Sequence, residues 1–291
     1  MAYLDRIEAC NRCDPSAYLP FRAAGQAVGW LRRDFASHLE TFPEVFVVTD
    51  EGVALQRSLW TFEAASEALD QVVRTLVEED VIPRYHGERY PVTPSVREAA
   101  VCTLDRAAAP HFGVRAFGQH LNGYVRRRDE LLVWVARRAR DKWNFPGRLD
   151  QTVAGGLPYE LTLAQNLVKE CEEEASIPES LAREARPVGA VTYCHENVHG
   201  LKPDVIYTYD LELPATFVPR ANDGEVEGFE LWSLPELAET LRGSELFKPN
   251  CALVAIDFLI RHGHIDPGER DYLALVAGLR RPPALPGSGA G

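Results

Sequence analysis

Residues 155–177 read GGLPYELTLAQNLVKECEEEASI, and this stretch decides the fold. Within it, Lys169-Glu170-Cys171-Glu172-Glu173-Glu174 puts four carboxylates into five positions. Thr162 and Gln165 have the spacing of a capping box, which places a helix start at Thr162. Leu163, Leu167 and Cys171 line one side of that helix, and Pro178 follows its end. Glu170, Glu173 and Glu174 then stand at i, i+3 and i+4 and share one face, about one turn apart. Glu172 is rotated from its neighbours by about 100° and is expected to be dispensable. Charge runs are ordinarily solvated helix faces. Here, however, the acids lie at the C-terminal end, where the macrodipole disfavours anions. Like charges at i, i+4 also repel. A bound divalent cation would relieve both costs. Mg²⁺ in particular takes one or two protein carboxylates and completes its shell with water and substrate phosphate.

Working outward, Gly155-Gly156 reads as a tight turn that brings backbone N–H groups toward an anion. Leu121–Val125 and Leu131–Arg137 flank a hairpin at Arg127-Arg128-Asp129-Glu130. Val188–Tyr193 and Val205–Leu213 read as further strands, with a loop over Tyr193–Pro203. Leu234–Leu241 and Ala252–His262 read as helices. Before this unit, Leu4–Arg12 is helical in period, Pro20–Arg33 suggests a hairpin followed by a helix at Asp34–Thr41, and Val45–Val48 a strand. Phe62–Glu79 is the clearest helix, with Ala65, Leu69, Val72, Val73 and Leu76 at helical spacing. Ser95–Ala109 is read as another, ending before Pro110. A boundary near His111-Phe112-Gly113 divides an α+β unit at 1–115 from a unit at 116–265. Residues 266–291 form a C-terminal extension whose last ten residues, 282–291, are disordered by composition.

The chain has 291 residues, which suits two domains, with 46% hydrophobic and 25% charged residues, as in ordinary globular proteins. A net charge of −12 argues against a general nucleic-acid surface. The longest apolar run near the end, Cys251–Ile260, is interrupted by Asp257 and too short to span a membrane. Six cysteines at 10, 13, 102, 171, 194 and 251 suggest a reducing cytosol rather than a disulfide framework. Cys10-x-x-Cys13 lacks the second pair of a zinc ribbon and reads as a free pair near a mobile N-terminus. His195 and His199 fall in the supposed loop and do not form metal-ligand spacing.

The central stretch resembles the Nudix hydrolase signature. That signature is a glycine, a glutamate six positions on, then after seven residues Arg-Glu-aliphatic-x-Glu-Glu-x-Gly-aliphatic. Aligned on Gly155, Lys169 stands at the Arg, Glu170 at the next Glu, Glu173 and Glu174 at the paired acids and Ile177 at the closing aliphatic. The chain departs at Leu161, where the first Glu is expected, at Cys171 and at Ser176, which stands at the Gly. Pro146-Gly147-Arg148-Leu149-Asp150, Asn122-Gly123-Tyr124-Val125 and Asp223–Glu230 are similar to one Nudix subfamily, whose N-terminal domain is related to thiamine pyrophosphokinase. Pro20-Phe21, Val28-Gly29-Trp30-Leu31 and Glu88–Val92 extend that likeness to the first unit. The resemblance implies an α/β (α+β) protein: a Nudix α/β/α sandwich with a smaller N-terminal α+β domain. It also implies a pyrophosphatase dependent on Mg²⁺ or Mn²⁺ that cleaves thiamine diphosphate, or a damaged analogue, to the monophosphate.

The expected metal ligands are Glu170 and Glu174, with Glu173 completing the set directly or through water. Nudix enzymes often take a general base from a distant loop; Glu225 is the first choice and Glu227 the second. Lys169 is expected to pair with the carboxylates of the signature and brace it. Seven basic residues lie between Arg126 and Lys142, and of these Arg137 and Lys142 approach the Pro146-Gly147 loop as phosphate ligands, beside the Gly155-Gly156 backbone. Trp143 or Phe145 would either stack on a flat heterocycle or lie in the core. The expected partner is a small-molecule diphosphate, with a homodimer allowed for and neither nucleic acid nor membrane. Two alternatives remain open: a pyrophosphatase for ADP-ribose or another nucleoside diphosphate, and a decayed binding module marked by Leu161. Isopentenyl-diphosphate isomerase chemistry would need a Cys/Glu pair, for which only Cys194 offers itself.

Overall fold

The computed structural model describes residues 2–128, 130–222 and 224–281. Asp129, Asp223 and the tail at 282–291 lie outside them. Helix α1 (Tyr3–Ala9) is followed by strands β1 (Tyr18–Ala23) and β2 (Gln26–Arg32), helix α2 (Arg33–Leu39), and strands β3 (Phe46–Thr49) and β4 (Gly52–Leu55). These four strands form one sheet in the order β2-β1-β4-β3. Helix α3 (Phe62–Glu78) is capped by the Thr61 hydroxyl, which accepts from Ala64 N at 3.3 Å. It buries Ala65, Leu69, Val72, Val73 and Leu76, the stripe its period demands.

The expected helix at Ser95–Ala109 is absent. Strand β5 (Arg89–Val92) pairs instead with β6 (Cys102–Asp105), and the short α4 (Ala109–Phe112) follows. All four residues of β6 are buried. A strand covered on both faces loses its alternation and cannot be told from a buried helix by period.

The second region is one mixed sheet. Strands β7 (Phe117–Arg127), β8 (Glu130–Arg138), β9 (Leu149–Asp150) and β10 (Val153–Gly156) precede helices α5 (Leu163–Ala175) and α6 (Glu179–Ala182). Strands β11 (Arg186–Asn197), β12 (Gly200–Glu212) and β13 (Val226–Ser233) complete it, in the order β11-β12-β7-β8-β13, with β10 on β7 and β9 on β8. Helices α7 (Leu234–Gly243), α8 (Pro249–Arg261) and α9 (Tyr272–Gly278) close the chain. Leu167, Cys171 and Ala175 of α5 pack with Leu121, Val125 and Val153 on one face of the sheet. On the other face α8 packs with Val133, Val191 and Ile206. This is the expected α/β/α sandwich. Asp257 is tolerated in the buried α8 because Arg261 and Arg280 hold it at 2.7 and 2.5 Å.

Three local expectations are corrected, and one region gains a helix. Gly155-Gly156 is no turn: both glycines lie in β10, opposite Gln119 and Gly118 of β7. The supposed loop Tyr193–Pro203 is mostly the paired ends of β11 and β12, and the His199 ring lies tilted against His111, with centroids 5.2 Å apart. The C-terminal extension contains α9. Cys10 is buried rather than at a mobile end, because α1 packs into the same core as α8. None of the six cysteines is in a disulfide.

Candidate active site

Helix α5 begins where its capping box predicts: Thr162 Oγ1 accepts from Gln165 N at 3.2 Å, and Thr162 N donates to Gln165 Oε1 at 3.0 Å. Buried Asn166 fixes its first turn against the sheet by donating to Gln119 Oε1 and to Gly156 O, both at 2.9 Å. The helix closes on Ser176, at φ 51°, with its N–H bonded to Glu172 O at 3.1 Å. This is the left-handed position that glycine usually fills. Ser176 Oγ donates to Arg220 O at 3.0 Å, an added bond that glycine would lack.

Glu174 is 7% exposed, and its Oε2 accepts from Ala154 N at 2.8 Å. Burial pushes its carboxyl up to about 8; the Ala154 N–H opposes this, whereas the charges of Glu170, Asp150 and Glu225 add to it. Glu170 is also raised, chiefly by burial, against the pull of Lys169 and Arg106. Glycine at 155 leaves Glu170 its place, because a Cβ there would stand 2.4 Å from Glu170 Cδ. Glu173 lies farther out and takes Lys169 Nζ at 2.7 Å, while the same ammonium reaches Glu170 Oε1 at 3.2 Å. Lys169 is held charged by these two carboxylates although burial pulls the other way. Glu172 is exposed.

Glu225 precedes β13 and pairs with Lys142 Nζ at 2.6 Å. Burial alone would raise its carboxyl; Lys142, with the charges of Arg106 and Arg138, outweighs that and holds it low. Glu227 is directed to Arg140 at 3.4 Å. Arg137 is engaged by Glu230 at 3.2 Å and by Gly147 O at 3.3 Å. Trp143 is 70% exposed and Phe145 is exposed too, so neither is core.

Beneath the site lies a network that the sequence did not announce. Asp150 accepts from Arg138 at 3.0 Å and from the Cys251 thiol at 2.6 Å, with Lys248 Nζ 3.8 Å away. His120, Asp150 and Cys251 are the one group of three such ligand residues, among those described, whose donor atoms lie within 4.8 Å of one another. Glu170, Glu173 and Glu174 do not converge to that degree. Two observations set the buried trio apart from a metal centre. Arg138 and Lys248 already supply the positive charge. Gln151 Nε2 donates to Cys251 O at 2.8 Å, so its Oε1 faces His120 Nδ1, also at 2.8 Å, and that nitrogen carries a proton. The pair Glu170/Glu174 fits a hard cation better: two partly or fully buried oxygen donors, one turn apart, each destabilised as an anion.

The N-terminal region also reaches this site. Tyr90 is buried, and a Cβ at Gly156 would stand 2.0 Å from its hydroxyl and 3.3 Å from Arg106 Cζ. Arg106 pairs with Glu88 at 2.9 Å. These contacts join residues remote in sequence, and no local pattern signals them.

A mixed sheet between two helical layers, with buried glutamates on one covering helix, has the architecture of the Nudix fold. Residues 120–250 match the NUDIX domain, and residues 2–116 match a domain of unknown function (DUF4743). That second description carries no kinship with thiamine pyrophosphokinase. The chain is 40% identical over 289 residues to Nudix hydrolase 20, chloroplastic, of Arabidopsis thaliana, spanning 96% of this chain and 77% of the relative. It is likewise 40% identical over 282 residues to Nudix hydrolase 24, chloroplastic, of the same plant, with the same coverage. A solved Deinococcus radiodurans structure aligns at 22% identity with TM-score 0.43, covering 57% of this chain and 97% of that one. This chain belongs to the Nudix hydrolase family, whose enzymes use divalent metal ions. Among the described residues no helix is long and apolar enough to cross a membrane.

Proposed function

We propose that the protein is a pyrophosphatase dependent on Mg²⁺ or Mn²⁺ that cleaves a diphosphate carried on an organic group. The observation that carries this reading is the burial of Glu174, within the field of Glu225, and the partial burial of Glu170 on the same helix face. A divalent cation held there supplies charge neutralisation of the diphosphate oxygens and polarises phosphorus. Lys169 ties Glu170 to Glu173 and limits their spread. Glu225, kept ionised by Lys142, accepts the proton of the attacking water. The water oxygen bonds to phosphorus as the bridging P–O bond breaks, which leaves a monophosphate and phosphate. Lys142, and Arg137 if it leaves Glu230, meet the phosphate charge; the β10 glycines let Glu170 and Tyr90 approach the backbone.

For the organic group we favour a thiamine-type diphosphate. The N-terminal resemblance supports this, as do the exposed rings of Trp143 and Phe145 beside Lys142, which offer a stacking surface for a flat heterocycle. We place the hydrolytic residues in 116–265 and the protein in a reducing compartment. The test is a panel of diphosphates with Mg²⁺ and with Mn²⁺, scored by phosphate and monophosphate release. Thiamine monophosphate release is expected. AMP from ADP-ribose instead would replace the substrate, and tight binding without turnover on any compound would reject the enzymatic reading.

A further inference from the structure

The segment 157–161 joins β10 to α5, so its conformation fixes how the carboxylates of α5 stand against Ala154 and Gly155. It is held from the N-terminal region. Arg97 Nη2 lies 2.7 Å from Pro158 O, 2.7 Å from Tyr159 O and 2.5 Å from Leu161 O. Arg97 is 9% exposed, and among the described residues no carboxylate pairs with it. Three carbonyls converge on one nitrogen of this buried guanidinium and offset much of the cost of burying its charge, while its Nε is buried without a partner among the described residues. Other contacts cross the same interface. Tyr159 N donates to Arg89 O at 2.8 Å, the Tyr159 ring meets Phe62 at 5.2 Å, and Glu160 turns outward to Arg89. The carbonyls of the segment are thus gathered around a charge that its own sequence does not contain. Leu161, one of the positions where the chain departs from the signature, is one of the three residues held.

We propose that Arg97 is a positioning residue of the hydrolytic site: by gathering three carbonyls of the β10–α5 connection, it sets the placement of Glu170 and Glu174. The N-terminal region is then a working part of the enzyme rather than an appended module. This rests on the reading that Glu170 and Glu174 carry the chemistry.

The test compares the full-length protein with Arg97→Ala, Arg97→Lys and Phe62→Ala, measuring kcat and KM on the best diphosphate of the panel and the affinity for Mn²⁺ alone. Arg97→Ala is expected to lower kcat and Mn²⁺ affinity about 10- to 100-fold, as loss of a group orienting metal ligands does, with little change in KM. Millimolar methylguanidinium should restore much of both to Arg97→Ala. Phe62→Ala, which loosens the same interface without touching the carbonyls, should keep both within a few-fold and gain nothing from methylguanidinium. Should Arg97→Ala fail to fold, Arg97→Lys, which keeps the charge but lacks the planar fork, carries the same measurements. A lowered melting temperature with kcat and Mn²⁺ affinity intact would overturn the proposal. If the wild type turns over no diphosphate, the functional reading fails separately, and Mn²⁺ affinity alone decides: weakened by loss of Arg97 it supports the positioning role, unchanged it rejects it.

Discussion

The two halves of the molecule bury different things. The core built from Leu19 to Val114 is apolar, and its one buried carboxylate, Asp105, serves the backbone by accepting from His86 N at 3.1 Å and Gly87 N at 2.7 Å. The sandwich, by contrast, buries Asp150, Glu174, Asp204, Asp210 and Asp257. Asp210 and Asp257 are neutralised by arginines, as is Asp150, whereas Glu174 receives one backbone N–H and, among the described residues, no paired cation. Burying an unpaired carboxylate is expensive, and groups kept in such surroundings mark functional sites. The contrast supports the proposed placement of the chemistry: the interior of one half is apolar, and the other accepts a stability cost at one helix.

The strongest way to break this comparison is to remove a paired charge. Asp150→Asn leaves Arg138 and Lys248 without their counter-charge, and a loss of about 3–5 kcal/mol is expected. Urea unfolding measures it, with the midpoint lowered and the slope unchanged. A loss below about 1 kcal/mol would mean that the two cations do not depend on Asp150. Glu174→Gln should behave in the opposite sense. Turnover falls by at least about 10²-fold, on the scale of losing a catalytic group, while the metal-free protein is no less stable. Near-normal rates would reject the metal assignment.

Two neighbouring glycines sharpen the contrast further. At 156 an added Cβ meets the buried Tyr90 hydroxyl at 2.0 Å, which cannot retreat, so Gly156→Ala should cost about 1–3 kcal/mol by overpacking the contact between the halves. Tyr90→Phe in the same chain should recover part of it. At 155 the neighbour is the end of Glu170, a chain that can swing aside. Gly155→Ala should therefore leave unfolding nearly unchanged and lower turnover on the order of tenfold or more, by displacing the carboxylate. Equal effects at the two positions would dissolve the distinction.

What was legible in the sequence was local. The capping box marked the start of α5, the period marked which side of α3 is buried, and the three-and-four spacing singled out Glu170 and Glu174 but also Glu173, which lies farther out on Lys169. Glycines are ambiguous, however, since they serve turns and close approaches alike, and Gly155-Gly156 proved to be the second kind. Strand β6, buried on both faces, mimicked a helix. Arg97, Asp150 and Lys248 were beyond reach for a different reason: each acts on partners distant in the chain, so nothing beside it in sequence announces the contact. Trp143 and Phe145 illustrate the reverse, since apolar type alone suggested core for side chains that the fold leaves exposed.

A milder perturbation asks whether the apolar half has a titrating group of its own. His111 is buried between Phe35 and His199, with ring centroids 5.1 and 5.2 Å away. Burial, with the nearby charges of His199 and Arg32 outweighing Asp34, takes its imidazole down to about 4. In the unfolded chain it titrates near 6.5. As pH falls through that value the unfolded state binds a proton that the folded state refuses. Stability is therefore complete above about 6.5, falls as pH drops, and stops falling below about 4. At pH 5.5 the loss attributable to this group is about 1.4 kcal/mol. His120, lowered to about 4 by burial in the sandwich, contributes in the same direction, so the wild-type profile alone cannot assign the effect. Comparing His111→Phe with wild type at pH 7.5 and 5.5 isolates it. Whatever packing the substitution changes is common to both conditions, and the difference between them should shrink by the amount stated. An unaltered pH dependence would place the whole of the acid sensitivity in the sandwich, among the groups it already strains to keep buried.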